Sequence, residues 1–549
     1  MAQGQFGGVP TGAPRVFTRA ATGLVREAGL LDALIYNVNF ISIGLMVALM
    51  LLYMPSYGGV SVPLSLIFCA ALALPTAATY GMLAATMPRS GGDYVYVSRV
   101  LGPAFGMMSN WNTTVWWVLY GGVPSAFLAS FGIAPLVRIL AAMTGNTTLL
   151  SVADWAVSPW GTFIIGALLI AALTGIFILG LGVFFRVQNV LFALAMLAVV
   201  LVVVAALVQT PERLAAELNR HLATLTGLND TVGAIIERSG YSPQSFDLRT
   251  TLIAMTWIYL TMGFSFSSAY IGGEVKQASR IQVWAIPGTV VYALIWGLLL
   301  VWTVTRAAGD QLLGAISTLG DAGAGEVGLS AMPRFHELVA IGSGNLLLAL
   351  LIGFGFIFWS YAWLPGQILN ASRNLVAYGV DGLMPSWLAY VSPRFHTPVV
   401  SLVVMGGLSI VSLAIYVFTP YFATLVGIFG FLLTFIVVSL SAVLLPYRRP
   451  ELFRGSPVAW RVGGVPVMSL VGALSLVACV IMQWAYLNDP YSGISLDPGT
   501  LEQGILGFGM FLLNVGIFLS GLLIYALARW WRRRQGIDLA LAYREIPVE

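Results

Sequence analysis

The sequence predicts an all-α polytopic membrane protein with twelve transmembrane helices. Hydrophobic residues make up 58% of the 549 residues and charged residues only 9%, whereas about 25% of the residues in a soluble domain are charged. The apolar residues form long continuous runs, each close to the roughly 20 residues that a helix needs to cross a bilayer. Such runs argue against a membrane β-barrel, whose strands alternate between apolar and polar residues.

Twelve runs are long enough to cross the membrane, and turn residues separate even the closest pairs. The runs are 31–55, 62–86, 105–136, 160–182, 188–208, 250–273, 281–305, 344–371, 398–418, 421–445, 465–487 and 504–528. They divide the chain into six parts. These are an N-terminal tail (1–27), a five-helix repeat (28–208), an extracellular loop (209–249), a second five-helix repeat (250–445), helices 11 and 12 (446–529) and a C-terminal tail (530–549).

The basic residues predict the orientation of the chain. With both termini in the cytoplasm, 19 of the 26 basic residues lie on the cytoplasmic side and 7 lie outside, as the positive-inside rule requires. The acidic residues lie in loops and tails or, like Asp32 and Glu274, at the edges of runs. Charges inside a membrane mark proton relays and voltage sensors, so we expect uncharged groups to form any site there. We expect the protein in the plasma membrane.

The sequence also argues against an enzyme. The only lysine, Lys276, does not belong to a phosphate-binding Gly-Lys-Ser/Thr motif. The two cysteines, Cys69 and Cys479, both lie in apolar runs, so neither a disulfide framework nor a cysteine metal site is expected. No His-Glu-x-x-His helix or paired intramembrane aspartate is present. We therefore expect no catalytic residue, no cofactor and no nucleic-acid partner.

Two runs contain polar or glycine residues at mid-membrane, at 39–44 in run 1 and 262–268 in run 6. Ser competes for backbone hydrogen bonds, and Gly weakens a helix. Irregular backbone inside a bilayer is tolerated only where it lines a cavity. Runs 1 and 6 each begin a five-helix half, and they enter from opposite sides, so the halves form an inverted repeat. Paired interruptions of this kind indicate a transporter site, although small residues also let helices pack closely.

Three loops resemble those of the amino acid–polyamine–organocation permeases. They are Met-Pro-Arg-Ser-Gly-Gly-Asp-Tyr-Val-Tyr-Val-Ser-Arg at 87–99, Gly-Glu-Val-Lys-Gln-Ala-Ser-Arg at 273–280, and Ala-Ser-Arg-Asn-Leu at 371–375 with Asp-Gly-Leu-Met-Pro at 381–385. The resemblance covers roughly 25–530. It implies the leucine-transporter-type fold of five plus five inverted helices with two further C-terminal helices. It also implies a secondary active transporter that moves amino acids or related amines by alternating access.

The resemblance further implies which positions hold the substrate. Matching to the family's arginine/agmatine antiporter places substrate contacts in helix 1 at Asn39, Ser42, Ile43 and Gly44, in helix 3 at Trp116 and Trp117, and at the helix-6 and helix-8 gate positions Leu260 and Gln367. No position in helix 10 matches. The chain departs from the family pattern in its single glycine at the first break, in a leucine at the helix-6 gate, and in Phe266 and Ala195, where relatives carry Glu and Lys.

An uncharged core predicts a small neutral substrate, such as an amino acid with an apolar or aromatic side chain. Backbone N–H groups around Ser42–Gly44 can bind its carboxylate, and unwound carbonyls at the helix-6 break can bind its ammonium group. The residues of that second break are Gly263, Phe264, Ser265 and Phe266. Trp116 and Trp117 could supply flat walls, or they could pack against helices or lipid, since adjacent residues of a helix point in different directions.

The coupling ion stays open between Na⁺ and H⁺, and uniport or exchange without a coupling ion stays open too. Without a buried carboxylate or a lysine at Ala195, a proton relay lacks a carrier. Span-1 carbonyls and the Ser360 hydroxyl could hold Na⁺, or that hydroxyl could bond to its own helix. The main alternative function is a channel or nutrient-sensing receptor on the same scaffold, although a channel needs a polar lining. The substrate's identity, the direction of transport and the oligomeric state also stay open, while the lipid bilayer is an expected partner.

Overall fold

The computed structural model describes residues 23–419, 426–503, 506–537, 539 and 543. Most of the predicted terminal tails, 1–27 and 530–549, therefore lie outside the described residues, as does the beginning of the predicted run 421–445. The described chain is mainly α-helical, and its one sheet consists of two short antiparallel strands, β1 (Arg461–Val462) and β2 (Val465–Pro466).

Ten α-helices occupy the described residues up to 208. They are α1 (Leu30–Ile41), α2 (Ile43–Tyr53), α3 (Val62–Thr86), α4 (Asp93–Val100), α5 (Pro103–Leu119), α6 (Val123–Phe127), α7 (Ala134–Thr144), α8 (Thr148–Val157), α9 (Pro159–Leu179) and α10 (Leu181–Val208). A π-helical segment, Leu128–Ile133, joins α6 to α7. The predicted third span thus comprises α5 to α7.

The predicted extracellular loop 209–249 contains two helices and the beginning of a third. From there on, the described helices are α11 (Pro211–Thr226), α12 (Thr231–Ser239), α13 (Leu248–Ala254), α14 (Thr256–Met262), α15 (Ala278–Ala308), α16 (Asp310–Gly323), α17 (Phe335–Gly342), α18 (Leu346–Ser360), α19 (Leu364–Val380), α20 (Val399–Phe418), α21 (Val426–Arg448), α22 (Pro450–Arg454), α23 (Val467–Asn488) and α24 (Phe508–Arg534).

Eleven stretches of the described chain are long and apolar enough to cross a membrane. These stretches support a polytopic membrane protein. The predicted sixth span, 250–273, is not among them because it is divided into α13, α14 and short 3₁₀ turns at Ser267–Tyr270 and Gly272–Glu274. No single helix there reaches the length needed to cross.

Both predicted helix interruptions are present. Helix α1 ends at Ile41, and Ser42 adopts a left-handed conformation with φ 52° before α2 begins at Ile43. Helix α14 ends at Met262, and turns follow up to the first 3₁₀ segment. The interruptions are close in space, because α14 packs against both α1 and α2.

Helices from the first part of the described chain pack against helices from the second part. Helix α3 packs against α15, α9 against α20, and α5 against α19. Helix α10 packs against α18, and α21 packs against α5. The C-terminal helices lie outside these pairs, with α23 against α3 and α21, and α24 against α5.

Candidate functional site

A small cavity lies where the two interruptions meet. Its lining comes from five predicted spans and consists of Phe40, Trp117, Tyr120, Leu260, Phe264, Trp363, Gln367, Ile428 and Phe431. All nine residues are buried, and none of them carries a charge. The cavity volume is ≈ 10 Å³, which is about the space of one water molecule. We call these nine residues the central cavity.

Aromatic rings fill most of this region. The Phe264 ring lies 4.8 Å from Phe431, at 84°, and 5.9 Å from Phe40. The next aromatic residue along the break, Phe266, stacks on Tyr80 at 3.7 Å. Edge-to-face and offset contacts of this kind stabilise aromatic pairs. The rings therefore close the space between the two breaks.

Three polar atoms of the central cavity residues lack a hydrogen-bond partner. They are the indole nitrogens of Trp117 and Trp363 and the amide oxygen of Gln367. A buried polar group without a partner costs about 1–3 kcal/mol. The cavity thus carries two N–H donors and one acceptor that a polar ligand could satisfy.

The central cavity includes Trp117, Leu260, Phe264 and Gln367 among the substrate-binding positions implied by the family resemblance and the helix-6 break. Trp116 instead packs into α21, where a Cβ added at Gly430 would lie 2.2 Å from its indole nitrogen. One of the two adjacent tryptophans therefore lines the cavity, as the helix geometry allows.

The other predicted positions lie around the cavity. Asn39 lines a separate cavity of ≈ 40 Å³ together with Gln188 and Ala195 of α10. Gly263 contacts the Tyr259 ring, because a Cβ added there would lie 2.6 Å from Tyr259 Cε1. Ser265 is buried on the same turn.

The first break packs against α18. The Ser42 hydroxyl donates a hydrogen bond to the carbonyl of Trp359, and a Cβ added at Gly44 would lie 2.5 Å from Trp359 Cγ. The Trp359 indole donates to the Ala195 carbonyl at 2.9 Å, which fixes the ring beside the break. Ile43 is buried between Ser42 and Gly44. The absence of a side chain at Gly44 therefore allows α2 and α18 to approach closely.

Ser360 does not face the first break. Its hydroxyl donates to the Ile357 carbonyl of its own helix at 2.6 Å. The same hydroxyl lies beside α6–α7, since a Cβ added at Gly132 would be 2.7 Å from it. The Ser360 hydroxyl therefore bonds within its own helix, and Trp359 occupies the position beside the first break, while a Na⁺ site at Ser360 stays a prediction.

Buried ion pairs close the face of the bundle at which α1 begins, which we call the N-terminal face. Arg373 of α19 binds both carboxylate oxygens of Glu274 at 2.8 Å. Arg99 of α4 binds Asp381 at 2.9 Å. The Glu274 carbonyl also accepts hydrogen bonds from the chain just before α1. These contacts tie α19, the segment after the second break and the beginning of α1 together.

The opposite face is closed in the same way. Arg138 of α7 binds the two oxygens of Glu337 at 2.9 and 3.1 Å, and Arg334 binds Asp321 with two bonds of 2.8 Å. Burial raises the pKa of Glu337, but the Arg138 charge and hydrogen bonds outweigh burial and hold the pKa below its usual value. The cavity is therefore enclosed from both faces.

Two buried carboxylates, Asp93 and Asp489, have no cationic partner among the described residues. Asp93, at the start of α4, is fully buried and accepts a hydrogen bond of 2.5 Å from Asn110 of α5. Its other oxygen, Oδ2, has no hydrogen-bond partner, although the Tyr270 hydroxyl lies near the carboxylate. Burial raises the pKa of Asp93 to about 6. The expectation of no buried carboxylate was therefore wrong, because this loop folds back into the bundle.

Asp93 connects to the central cavity through Tyr270. The Tyr270 ring contacts Trp117 edge-on at 4.5 Å, and the Gly91 N–H donates to the Tyr270 carbonyl at 2.9 Å. On the other side, the Asn110 amide oxygen accepts a hydrogen bond from Tyr378 of α19. Asp93 thus joins α5, α19 and the segment after the second break.

Comparison with known proteins agrees with this architecture. Residues 33–496 match the family profile described as amino acid permease. The branched-chain amino acid permease BcaP of Bacillus subtilis (strain 168) is 23% identical over 481 residues, covering 85% of this chain and 89% of that protein. The uncharacterized transporter Rv1999c of Mycobacterium tuberculosis (strain H37Rv) is 24% identical over 497 residues, covering 89% and 91%.

The family match covers most of the chain and includes both breaks and the central cavity. The relatives' names describe transporters and a permease, so the function is transport and not catalysis. This chain belongs to the amino acid permease family of membrane transporters.

Proposed function

We propose that this permease is a secondary active transporter of a neutral amino acid with an apolar side chain, working by alternating access in the plasma membrane. The observation that carries the proposal is an uncharged, aromatic cavity between two broken helices, enclosed from both faces by buried ion pairs. A relative named as a branched-chain amino acid permease supports an apolar substrate. The closed faces disfavour a channel, which needs a continuous polar lining.

We also propose that the segment 250–273 is a twelfth crossing, that the two halves form an inverted repeat, and that both termini are cytoplasmic. The packing of α3 against α15, α9 against α20 and α5 against α19 supports the repeat. The buried ion pairs support the repeat too. Arg99, before span 3, pairs with Asp381, after span 8. On the opposite face, Glu337, before span 8, pairs with Arg138 at the end of span 3. If span 3 corresponds to span 8, Arg99 corresponds to Glu337 and Asp381 corresponds to Arg138. Each position then carries the opposite charge in the other half.

Backbone groups at the two breaks would bind the amino acid. The first N–H groups of a helix have no partner within that helix, so those of Ile43 and Gly44 at the start of α2 suit a carboxylate. Carbonyls of the turn at 263–266 suit the ammonium group. The side chain would replace ring contacts among Phe40, Phe264 and Phe431. A charged side chain would find no counter-ion among the nine cavity residues.

We propose H⁺ rather than Na⁺ as the coupling ion. The hydroxyl considered for Na⁺, that of Ser360, lies beside Gly132, and Trp359 fills the space beside the first break. Asp93 is a carboxylate that burial drives toward its neutral form. Protonation would remove an uncompensated charge beside Tyr270, and Tyr270 contacts the cavity residue Trp117.

A thermal-shift screen against the twenty amino acids, followed by counterflow in proteoliposomes, tests the carrier proposal. We expect L-leucine or another apolar neutral amino acid to raise the unfolding temperature. Vesicles loaded with that amino acid should then take up the labelled form with saturable kinetics. Uptake that does not saturate would indicate a channel, and stabilisation by arginine or putrescine alone would contradict a neutral substrate.

Replacing Asp93 with Asn tests the coupling proposal. Because its raised pKa is about 6, Asp93 gains its proton as the pH falls, so uptake should increase from pH 7.5 to pH 5.5, by up to about 25-fold if only the protonated form works. We expect Asp93→Asn to remove this increase. The matched control is Asp489→Asn, which alters another buried carboxylate, bonded to Tyr57 and Thr256 at the opposite face. An unchanged pH response in Asp93→Asn would contradict H⁺ coupling through this residue, even if counterflow is observed.

A further inference from the structure

The described residues also enclose a much larger cavity away from the two breaks. Its volume is ≈ 910 Å³, against ≈ 10 Å³ for the central cavity. It lies near the opposite face, between the end of α2, the second half of α15, the beginning of α16 and the loop at 240–247. None of its lining residues belongs to the central cavity, so it is a separate site.

The walls of this cavity change from apolar to charged along α15. Leu298 and Trp302 lie deeper along the helix, and Arg306 and Asp310 lie at its end and just beyond. At 1.5 Å per residue, Leu298 and Arg306 are about 12 Å apart along the axis. Trp302 is 57% exposed and Phe246 is 58% exposed, as is typical of aromatic residues at the membrane–water boundary. The cavity therefore opens toward lipid at the end of a transmembrane helix.

Two charged residues, Arg306 and Asp310, lie at the mouth of this cavity. One nitrogen of the Arg306 guanidinium donates to the carbonyls of Leu207 and Gln209, at the end of α10, at 3.0 and 3.2 Å. The side chain nevertheless remains exposed, as does that of Asp310. Neither residue forms an ion pair within the described chain. A cation and an anion thus stand unpaired at the mouth of an apolar cavity.

We propose that this cavity binds a single phospholipid with a primary-amine headgroup, such as phosphatidylethanolamine. Arg306 would bind the phosphate, because guanidinium groups form strong charge-assisted hydrogen bonds with phosphate oxygens. Asp310 would accept hydrogen bonds from the ammonium group, which a choline headgroup cannot donate. An acyl chain would lie along Leu298 and Trp302. The order of apolar and charged walls follows that of one lipid molecule, from tail to headgroup.

Native mass spectrometry and thermal unfolding of the purified full-length protein test this site. With dioleoyl lipids, we expect phosphatidylethanolamine to bind in preference to phosphatidylcholine and to raise the unfolding temperature more. Asp310→Asn should lower that preference by about threefold, whereas Arg306→Gln should weaken the binding of both lipids by about threefold, as expected for partly exposed charge pairs. The control variant is Arg220→Gln, which removes an exposed arginine of α11 that is not among the residues lining the cavity. Equal binding of the two lipids would overturn the headgroup assignment.

Leu298→Trp provides a second test that leaves Arg306 and its bonds to α10 in place. The larger side chain should fill the deep part of the cavity and abolish the preference for phosphatidylethanolamine. Retained lipid preference would contradict the proposed position of the acyl chain. Inorganic phosphate that stabilises the protein as well as the lipid does would show a simple anion site. A lower mass of the Leu298→Trp protein in light scattering would show that the cavity contacts a second copy of the chain.

Discussion

Replacing Gly44 with Ala should lower the transport rate by about tenfold, because an extra methyl group in a tightly packed contact costs about 1–3 kcal/mol. A Cβ at this position would lie 2.5 Å from Trp359 Cγ, and Trp359 is itself held by its bond to Ala195. Either the first break or α18 must move to make room. Initial rates of substrate uptake in proteoliposomes, corrected for the amount of protein inserted, measure the effect.

Two variants make this prediction specific to the contact. Gly407→Ala adds the same methyl group to another apolar helix, at an exposed position with no atom within 4 Å of the new Cβ, so it should transport like the wild type. Trp359→Leu should restore part of the activity when it is combined with Gly44→Ala, because it removes the opposing ring. Equal rates for Gly44→Ala and Gly407→Ala would show that the approach of α18 to the break is unimportant for transport.

Replacing Arg373 with Ala should destabilise the protein by about 3–5 kcal/mol, the cost of leaving one partner of a buried ion pair uncompensated. Arg373 and Glu274 are both almost fully buried and share two hydrogen bonds of 2.8 Å. Thermal unfolding in detergent measures the change. The control is Arg220→Ala, which removes an arginine whose side chain is 75% exposed and 3.8 Å from its partner.

A double variant distinguishes the effect of this ion pair on stability from its effect on transport. Exchanging Arg373 and Glu274 together for Met should recover much of the unfolding temperature, since an apolar pair of similar volume often replaces a buried ion pair at little cost. Transport should stay impaired, because the N-terminal face would no longer open by separating two charges. If Arg373→Ala unfolds at the same temperature as Arg220→Ala, the pair does not hold that face together.

The positions of the two breaks could be predicted from the sequence, whereas most of the cavity walls could not. Ser42 and the Gly263–Phe266 turn stand out because polar and small residues interrupt long apolar runs. Ile428 and Phe431 of α21, the tenth predicted span, do not stand out in this way. They are apolar residues in an apolar helix, and only packing decides which of them face the cavity. Their spacing, with Phe435 four residues later, places them on one face, but other faces of the helix are apolar too.

Asp93 shows a different limit of sequence reasoning. Hydropathy places this residue outside the apolar runs, and a loop aspartate is usually solvated. The loop instead folds into the end of the bundle, where Asn110 and Tyr270 surround the carboxylate. Trp359 likewise reads as an ordinary apolar residue of run 8, and only the approach of α18 to Gly44 shows that it fills the space beside the first break.

A cryo-EM structure with a bound neutral amino acid, such as the one identified by thermal shift, tests the central claim most directly. We predict a substrate carboxylate within about 2.7–3.2 Å of the backbone nitrogen of Ile43 or Gly44. The ammonium group should face carbonyls of the turn at 263–266, and the side chain should contact Phe264. A substrate that is bound instead through an arginine or a carboxylate side chain, or at a site away from both breaks, would contradict recognition by uncoiled backbone.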